Sequence, residues 1–318
     1  MEIYLSLFIL FVFIIFYRFN IIIANLLNLF EKNKVPLLGG VLLSIGVLLN
    51  NFYITNNNLE TIYLVNTIFL ILIFVIGFLD DKYDLNPVLR IIFMIILITF
   101  FIIYDGTYIQ TLNFKYFGFY YFSENNFIRV ILPIFCIIVF INAFNFTDGI
   151  NGLAGLLGLS WFIYFAIKYT FVINLYLIFV IFLIFFLVLN FQNKSFLGDS
   201  GNYIISSIIG YLLILINKNI PFSIYVEEIL LLLLIPGIDL IRLFFVRIKN
   251  KQNPLEGDFN HFHHILTKKL GLLKSLVIYL SLVNLPIYIF LIYEEVLFFL
   301  IILSISIYYY LINKFSKK

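Results

Sequence analysis

The chain has 318 residues, 63% of them hydrophobic and 12% charged, with a formal net charge of +3 and a mean hydropathy of +1.09. Soluble domains are only about half apolar, so this composition excludes a water-soluble domain and defines an integral membrane protein. The single cysteine, Cys136, has no partner for an intrachain disulfide and leaves the redox compartment open.

A helix needs about 20 apolar residues to cross the hydrocarbon. That ruler predicts an all-α polytopic protein with eleven spans, near 3–27, 37–54, 61–79, 87–104, 127–144, 153–168, 171–190, 203–217, 227–245, 276–293 and 296–313. The first has Glu2 before it and no small-residue cleavage site after it, so it is expected to stay as an anchor. No soluble domain, low-complexity linker or internal repeat interrupts the series, and residues 1–318 are expected to form one polytopic domain.

Cytoplasmic loops carry an excess of Lys and Arg. With the N-terminus outside, one set of loops together with the tail collects fifteen basic residues and the opposite set four, with Arg18 left inside the first span. The richer set, and with it the C-terminus, is therefore expected in the cytoplasm. Five connections fall on that side: 28–36, 80–90, 142–155, 191–202 and 246–275.

Four of them carry residues capable of chemistry. "GFLDDKYDLNP" (77–87) places Asp80, Asp81 and Asp84 at the end of the third span. Carboxylates at span ends are often only solvated caps, since the cost of an ionised Asp falls from about 3 kcal/mol at midplane towards little at the interface. Three within five residues repel one another, however, and a divalent cation with oxygen ligands would relieve that repulsion. If the helix continues, Asp80 and Asp84 share a face.

"NAFNFTDGINGLAG" (142–155) joins the fifth and sixth spans. Turn formation and close helix contact explain its glycines. They do not explain why Asn142, Asn145, Asp148 and Asn151 recur every third residue in an apolar setting, where idle amides and carboxylates are expensive. "FLGDSGN" (196–202) puts Asp199 beside a helix start, a plausible metal or phosphate loop.

"DFNHFHHIL" (258–266) holds all three histidines of the chain, His261, His263 and His264. If Asp258 caps a short helix reaching Gly271, His261 and His264 project to similar sides and His263 to the other. A three-histidine zinc site is then disfavoured, and imidazoles facing a pyrophosphate fit better.

These stretches, with "PLLGG" (36–40) and "PGIDLIRLFFVR" (236–247), occur in an order and spacing that resembles the polyprenyl-phosphate N-acetylhexosamine-1-phosphate transferases across nearly the whole chain. Asn151, and His-Phe-His-His in place of three consecutive histidines, make it similar to the WecA branch more than to the MraY branch. The resemblance implies transfer of an N-acetylhexosamine 1-phosphate, GlcNAc-1-phosphate by default, from a UDP-sugar to undecaprenyl phosphate, releasing UMP as the first step of a cell-surface glycan such as O-antigen.

It also implies Mg²⁺, with Mn²⁺ as a substitute, in a multi-pass protein of the inner membrane with a cytoplasmic active site. The partners are the two substrates and the bilayer, with no nucleic acid and with homodimerisation left open.

By the same resemblance Asp199 is the principal Mg²⁺ ligand, with Asp148 at the diphosphate and a further metal ligand. Asp80 and Asp81 serve the lipid phosphate, by taking its proton or helping to hold the metal. Lys32, Asn151 and Asn190 contact the uridine with Phe196 stacked on uracil, while Asn142, Asn145 and Arg247 are further substrate-binding residues. His261, His263 and His264 line the pyrophosphate and sugar pocket. Asn202 and Phe259 depart from the family pattern, and the second puts the sugar preference in question.

An MraY-type phospho-MurNAc-pentapeptide transferase is the alternative within the family. A secondary transporter, the non-enzyme alternative, should place its charges at midplane and show a repeat. A phosphotransferase of the CDP-alcohol type would concentrate its aspartates on one helix, whereas here they are spread over three loops.

Overall fold

A computed structural model describes residues 2–31, 35–56, 62–123, 126–219, 224–251, 253 and 260–316. Lys32 and Asp258 lie outside these residues. Among the described residues nine helices are long and apolar enough to cross a membrane, and two shorter apolar ones, Gly39–Thr55 and Leu153–Lys168, coincide with the second and sixth predicted spans. The chain divides into two compact units, Met1–Met94 with Phe165–Ile205, and Ile95–Tyr164 with Ser206–Lys318.

The first unit contains α1 (Glu2–Leu27), α2 (Gly39–Asn56), α3 (Ile62–Tyr83), the start of α4 (Pro87–Asp105), α7 (Phe171–Phe191) and the start of α8 (Gly198–Asn219). α2 packs on α7 and α3. Its entry is tied to the entry of α8 by backbone pairing: the Phe196 N–H donates to the Pro36 carbonyl (2.8 Å), and the Gly39 and Gly40 N–H groups donate to the Phe196 and Leu197 carbonyls (3.0 and 3.1 Å). A Cβ on Gly40 or Gly77 would run into Ser200. The small residues of "PLLGG" and "VIGF" therefore let α2 and α3 close around the first turn of α8, which carries Asp199.

In the second unit, β1 (Thr111–Phe114) and β2 (Gly118–Tyr121) form an antiparallel hairpin, with Thr111 opposite Tyr121. Hydropathy predicts no element there, because the segment is too short and too polar to span. The helices are α5 (Ile128–Asn145), α6 (Leu153–Lys168), the rest of α8, α9 (Val226–Lys249), α10 (Phe262–Leu270), α11 (Leu272–Ile292) and α12 (Leu297–Ser316). α9 packs against α5, α11 and α12, and α10 lies on α11 and α12. Phe262 anchors α10, its ring 5.0 Å from that of Tyr308 and 5.6 Å from that of Tyr279. Gly271, at φ +77°, ends α10 in the left-handed region that favours glycine and so permits the turn into α11.

Candidate active site: an acidic cluster and a histidine cluster

The first unit assembles the acidic cluster from three helix ends. α3 stops at Tyr83, and Asp84 sits outside it at φ +51°, exposed, with its N–H on the Asp80 carbonyl (2.9 Å). The expected sharing of a face by Asp80 and Asp84 does not occur, because the helix ends one residue too early and Asp84 terminates it instead.

Asp81 reaches the N-terminus of α8. Its Oδ1 accepts from the Asp199 N–H (2.7 Å), and its Oδ2 accepts from the Ser200 N–H (3.1 Å) and Oγ (2.6 Å). The first N–H groups of a helix have no partner within it, and a carboxylate placed there is also favoured by the helix dipole. Asp81 thus caps α8 from another helix and holds Asp199 in place.

Asp80 is buried. Its Oδ1 accepts from the Leu85 N–H (3.0 Å), and its Oδ2 accepts from Arg90 (2.6 Å) and the Tyr203 hydroxyl (3.1 Å). The Asp199 carboxyl lies within hydrogen-bonding reach of Asp80, and Arg90 Nη1 is 3.6 Å from Asp199 Oδ2. Arg90 stands in the first turn of α4, whose start at Pro87 suits a residue with no N–H to leave unpaired.

The Asp199 side chain is 30% exposed against 3% for Asp80. Asp80 and Asp199 meet one guanidinium while Asp81 binds the start of α8, so the three carboxylates outnumber the one cation, and Asp199 is more open to a ligand than Asp80. Among the described residues no group of three His, Cys, Asp or Glu is arranged to hold a metal ion. That donor set still fits Mg²⁺, which keeps several waters and is commonly held by one or two carboxylates together with substrate phosphates.

Around this cluster, Asn190 is buried and donates to the Ser195 carbonyl (2.9 Å), shaping the turn before Phe196, whose side chain is half-buried.

The second unit gathers the other predicted residues. Asn142 and Asn145 lie on the last turn of α5; Asn142 donates to the Ile138 carbonyl (2.8 Å), and the Asn145 carbonyl accepts from the Asp148 N–H (3.1 Å). Asp148 and Asn151 follow in the half-buried turn before α6. A Cβ on Gly149 would run into the His263 and His264 rings. The Asp-Gly turn and the imidazoles are therefore in direct apposition, and only a residue without a side chain allows it.

The histidines do not diverge. α10 begins at Phe262, and His261 precedes it in extended conformation (φ −61°, ψ 150°). His261 is thus off the helical wheel, and the three rings form a row, His261 to His263 at 5.5 Å and His263 to His264 at 4.2 Å between centroids. Phe146 stacks on the other side of His261 at 5.1 Å, and the Arg247 guanidinium lies 5.6 Å from the Phe146 ring.

The buried carboxylate of Asp239 organises this row. It receives His261 Nδ1 (3.0 Å), Arg242 (2.8 Å), the Tyr308 hydroxyl (2.7 Å) and the Phe262 N–H (3.2 Å). Arg247 Nη2 lies 3.5 Å from His261 Nε2. A guanidinium only donates, so Nε2 accepts and the His261 proton resides on Nδ1, facing Asp239.

Burial pushes the His263 imidazole down to about 3, with the neighbouring His264 and His261 adding to the effect and Asp239 opposing it. Its Nε2 is buried and has no hydrogen-bond partner among the described residues. At neutral pH this ring is an uncharged group with one nitrogen in reserve beside the Asp-Gly turn.

Sequence reasoning missed Arg90, Ser200, Tyr203, Asp239, Arg242 and Tyr308. A usable signal existed for two of them. Asp239 and Arg242 sit three residues apart inside an apolar helix, where ionised groups persist only when paired.

Residues 61–217 match the model of the glycosyl transferase family 4. The chain is similar to the undecaprenyl-phosphate alpha-N-acetylglucosaminyl 1-phosphate transferase of Yersinia pestis, at 24% identity over 75% of this chain and 67% of that protein. The proteins of the same name from Escherichia coli K12 and Thermotoga maritima give 23% over 75% of this chain and 66% of theirs, and 27% over 67% and 65%. The chain thus matches about two thirds of the length of these relatives. The relatives bear out the resemblance to the polyprenyl-phosphate N-acetylhexosamine-1-phosphate transferases, on its WecA side.

Proposed function

We propose that the chain transfers an N-acetylhexosamine 1-phosphate, GlcNAc-1-phosphate by default, from its UDP conjugate to undecaprenyl phosphate and releases UMP, at the cytoplasmic face of the inner membrane. The observation that carries this reading is the partly exposed Asp199 carboxylate beside Asp80, the two sharing one guanidinium. Nucleophile and electrophile are both anionic in this reaction, so catalysis consists mainly of charge neutralisation and alignment. The names of the relatives support this reading over an MraY-type transferase.

Asp199, with Asp80 behind it, would hold Mg²⁺, which when bound stabilises the charge on the departing UMP phosphate. Asp81 keeps Asp199 in place through the cap on α8, and Arg90 limits the repulsion between Asp80 and Asp199. A phosphate monoester has its second pKa near 6 and is largely dianionic at neutral pH. The lipid phosphate then attacks the sugar-bearing phosphorus directly: a phosphate oxygen forms the new P–O bond, the bond to the UMP oxygen breaks, and no enzyme base is required.

Asp148 and the imidazole row would meet the diphosphate and sugar. His261 is held by Asp239 and Arg247, and His263 supplies an uncharged nitrogen with no partner among the described residues. For the lipid tail, the second unit has an apolar cavity of about 390 Å³ running along α5 from Leu132 to Ala143 and bordered by Leu213 and Leu233.

The test is release of UMP by the purified protein given undecaprenyl phosphate, Mg²⁺ and a panel of UDP-sugars, before and after chelation. Release with UDP-GlcNAc that stops with EDTA and returns with Mg²⁺ is expected. Release only with UDP-MurNAc-pentapeptide would transfer the chain to the MraY type, and no release with any UDP-sugar would overturn the reading.

A further inference from the structure

The first unit contains a second polar site at the end of α3 remote from the acidic cluster. Asn66 and Asp80 are fourteen residues apart on that helix, roughly 21 Å along its axis at 1.5 Å per residue. There, a cavity of about 20 Å³ is bordered by Asn50 and Asn51 of α2, Asn66 and Thr67 of α3, and Tyr176 of α7. Such a volume accommodates one water-sized species.

Asn50 and Asn66 are 5% and 4% exposed, so both are more than nine-tenths buried. Their amide nitrogens are already used: Asn50 donates to the Leu175 carbonyl (2.5 Å) and Asn66 to the Tyr176 hydroxyl (3.1 Å). The Leu175 carbonyl is available at a break in α7, where Tyr176 has non-helical angles (φ −133°, ψ 15°). What remains is the Oδ1 atoms of Asn50, Asn51 and Asn66, all three buried with no hydrogen-bond donor among the described residues.

Three acceptors with no donor among the described residues, all on side chains that border one small cavity, restrict its occupant. A water molecule has two protons, so it satisfies two of the oxygens and leaves the third desolvated and unpaired, which is costly. A cation attracts all three at once, as carbonyl oxygens do when they replace the hydration shell of an ion within a membrane. Every described oxygen bordering the cavity is uncharged. A divalent ion would keep its second charge uncompensated in a low-dielectric setting, whereas carboxamide dipoles suffice for a single charge.

We propose that Asn50, Asn51 and Asn66 bind one alkali cation, which ties α2, α3 and α7 together. This site is separate from the transferase reading and stands or falls without it.

The test uses the full chain in detergent. Thermal unfolding is followed in NaCl, KCl and choline chloride at equal ionic strength, with ²²Na⁺ and ⁸⁶Rb⁺ binding measured alongside. The expected result is a saturable rise in Tm of about 2–4 °C with sodium or potassium over choline, and one ion bound per chain that excess Mg²⁺ does not displace. Asn50→Leu should abolish both effects. Asn66→Asp, which adds a charge, should increase the dependence on alkali cation, whereas around a buried water it would only destabilise. Equal Tm in all three salts, with no bound ion, would overturn the proposal and leave water as the occupant; this holds even if the variants fail to fold.

Discussion

In the first unit Asp80 and Asp199 share a single guanidinium, and the less buried of the two, Asp199, is the one held on a helix N-terminus by a third carboxylate, Asp81. In the second unit the proportions are reversed: one buried carboxylate, Asp239, receives a guanidinium, a hydroxyl, an imidazole and a backbone N–H. The acidic cluster carries charge that its own residues leave uncompensated and so suits a ligand of positive charge. The histidine cluster is internally paired, and among the described residues the neutral His263 Nε2 is left without a partner. It is organised to present rings in a fixed row, not to capture an ion.

This contrast predicts that damage to the acidic cluster removes charge stabilisation, while damage to the histidine cluster misplaces groups. The largest effect is expected from Asp199→Asn, which should lower UMP release by about 10³-fold, the scale of losing one transition-state charge contact. The same variant should lose any stabilisation by Mg²⁺ in a melting experiment, and normal activity in it would erase the distinction between the clusters.

Next comes Gly149→Ala. Its new methyl group must displace the His263 and His264 rings, and a shift of about 1 Å can cost about 10²-fold in rate. Kinetics should show that loss with the Mg²⁺ response intact; a changed Mg²⁺ response would count against separate tasks.

A smaller effect concerns pH. An ordinary imidazole titrates near 6.5, whereas burial holds His263 at about 3 in the folded chain. Below pH 6.5 the unfolded chain therefore binds a proton that the folded chain refuses, so stability falls as pH drops from 6.5 towards 3 and is unaffected by this residue above that range. The slope is at most about 1.4 kcal/mol per pH unit. Melting curves of the native chain and of His263→Asn at pH 7.5 and 5.5 should differ in this slope, and parallel curves would contradict the assigned burial.

The smallest expected change is that of Tyr308→Phe, which removes one of the donors to Asp239. A loss of about 1 kcal/mol in stability is expected, because His261, Arg242 and the Phe262 N–H remain. Unfolding of this variant would show the network to be less redundant than its geometry indicates.

Much of the candidate site was legible from local patterns. Asp80, Asp81, Asp148, Asp199 and the histidines stood out because polar groups are rare in an apolar chain and gather where spans end. Their individual tasks were less legible. Asp81 serves as a cap for a helix more than a hundred residues away, and Asp84 leaves the cluster because α3 ends at Tyr83. The row of imidazoles was missed because a helical wheel was applied to His261, which is extended. Asp239 and Arg242 were passed over although both are charges within an apolar helix.

By itself the sequence determined the membrane class, the approximate positions of the helices and the places where polar residues gather, and it set the expected sidedness, since hydropathy, basic-residue bias and motif spacing are properties of contiguous residues. Only the tertiary structure decided which carboxylate caps a helix, which one is left open, and which carboxamide oxygens surround a cavity. Those outcomes depend on what each buried polar atom meets across the packing of distant helices, where an unpaired group is costly and its partner lies far away along the chain.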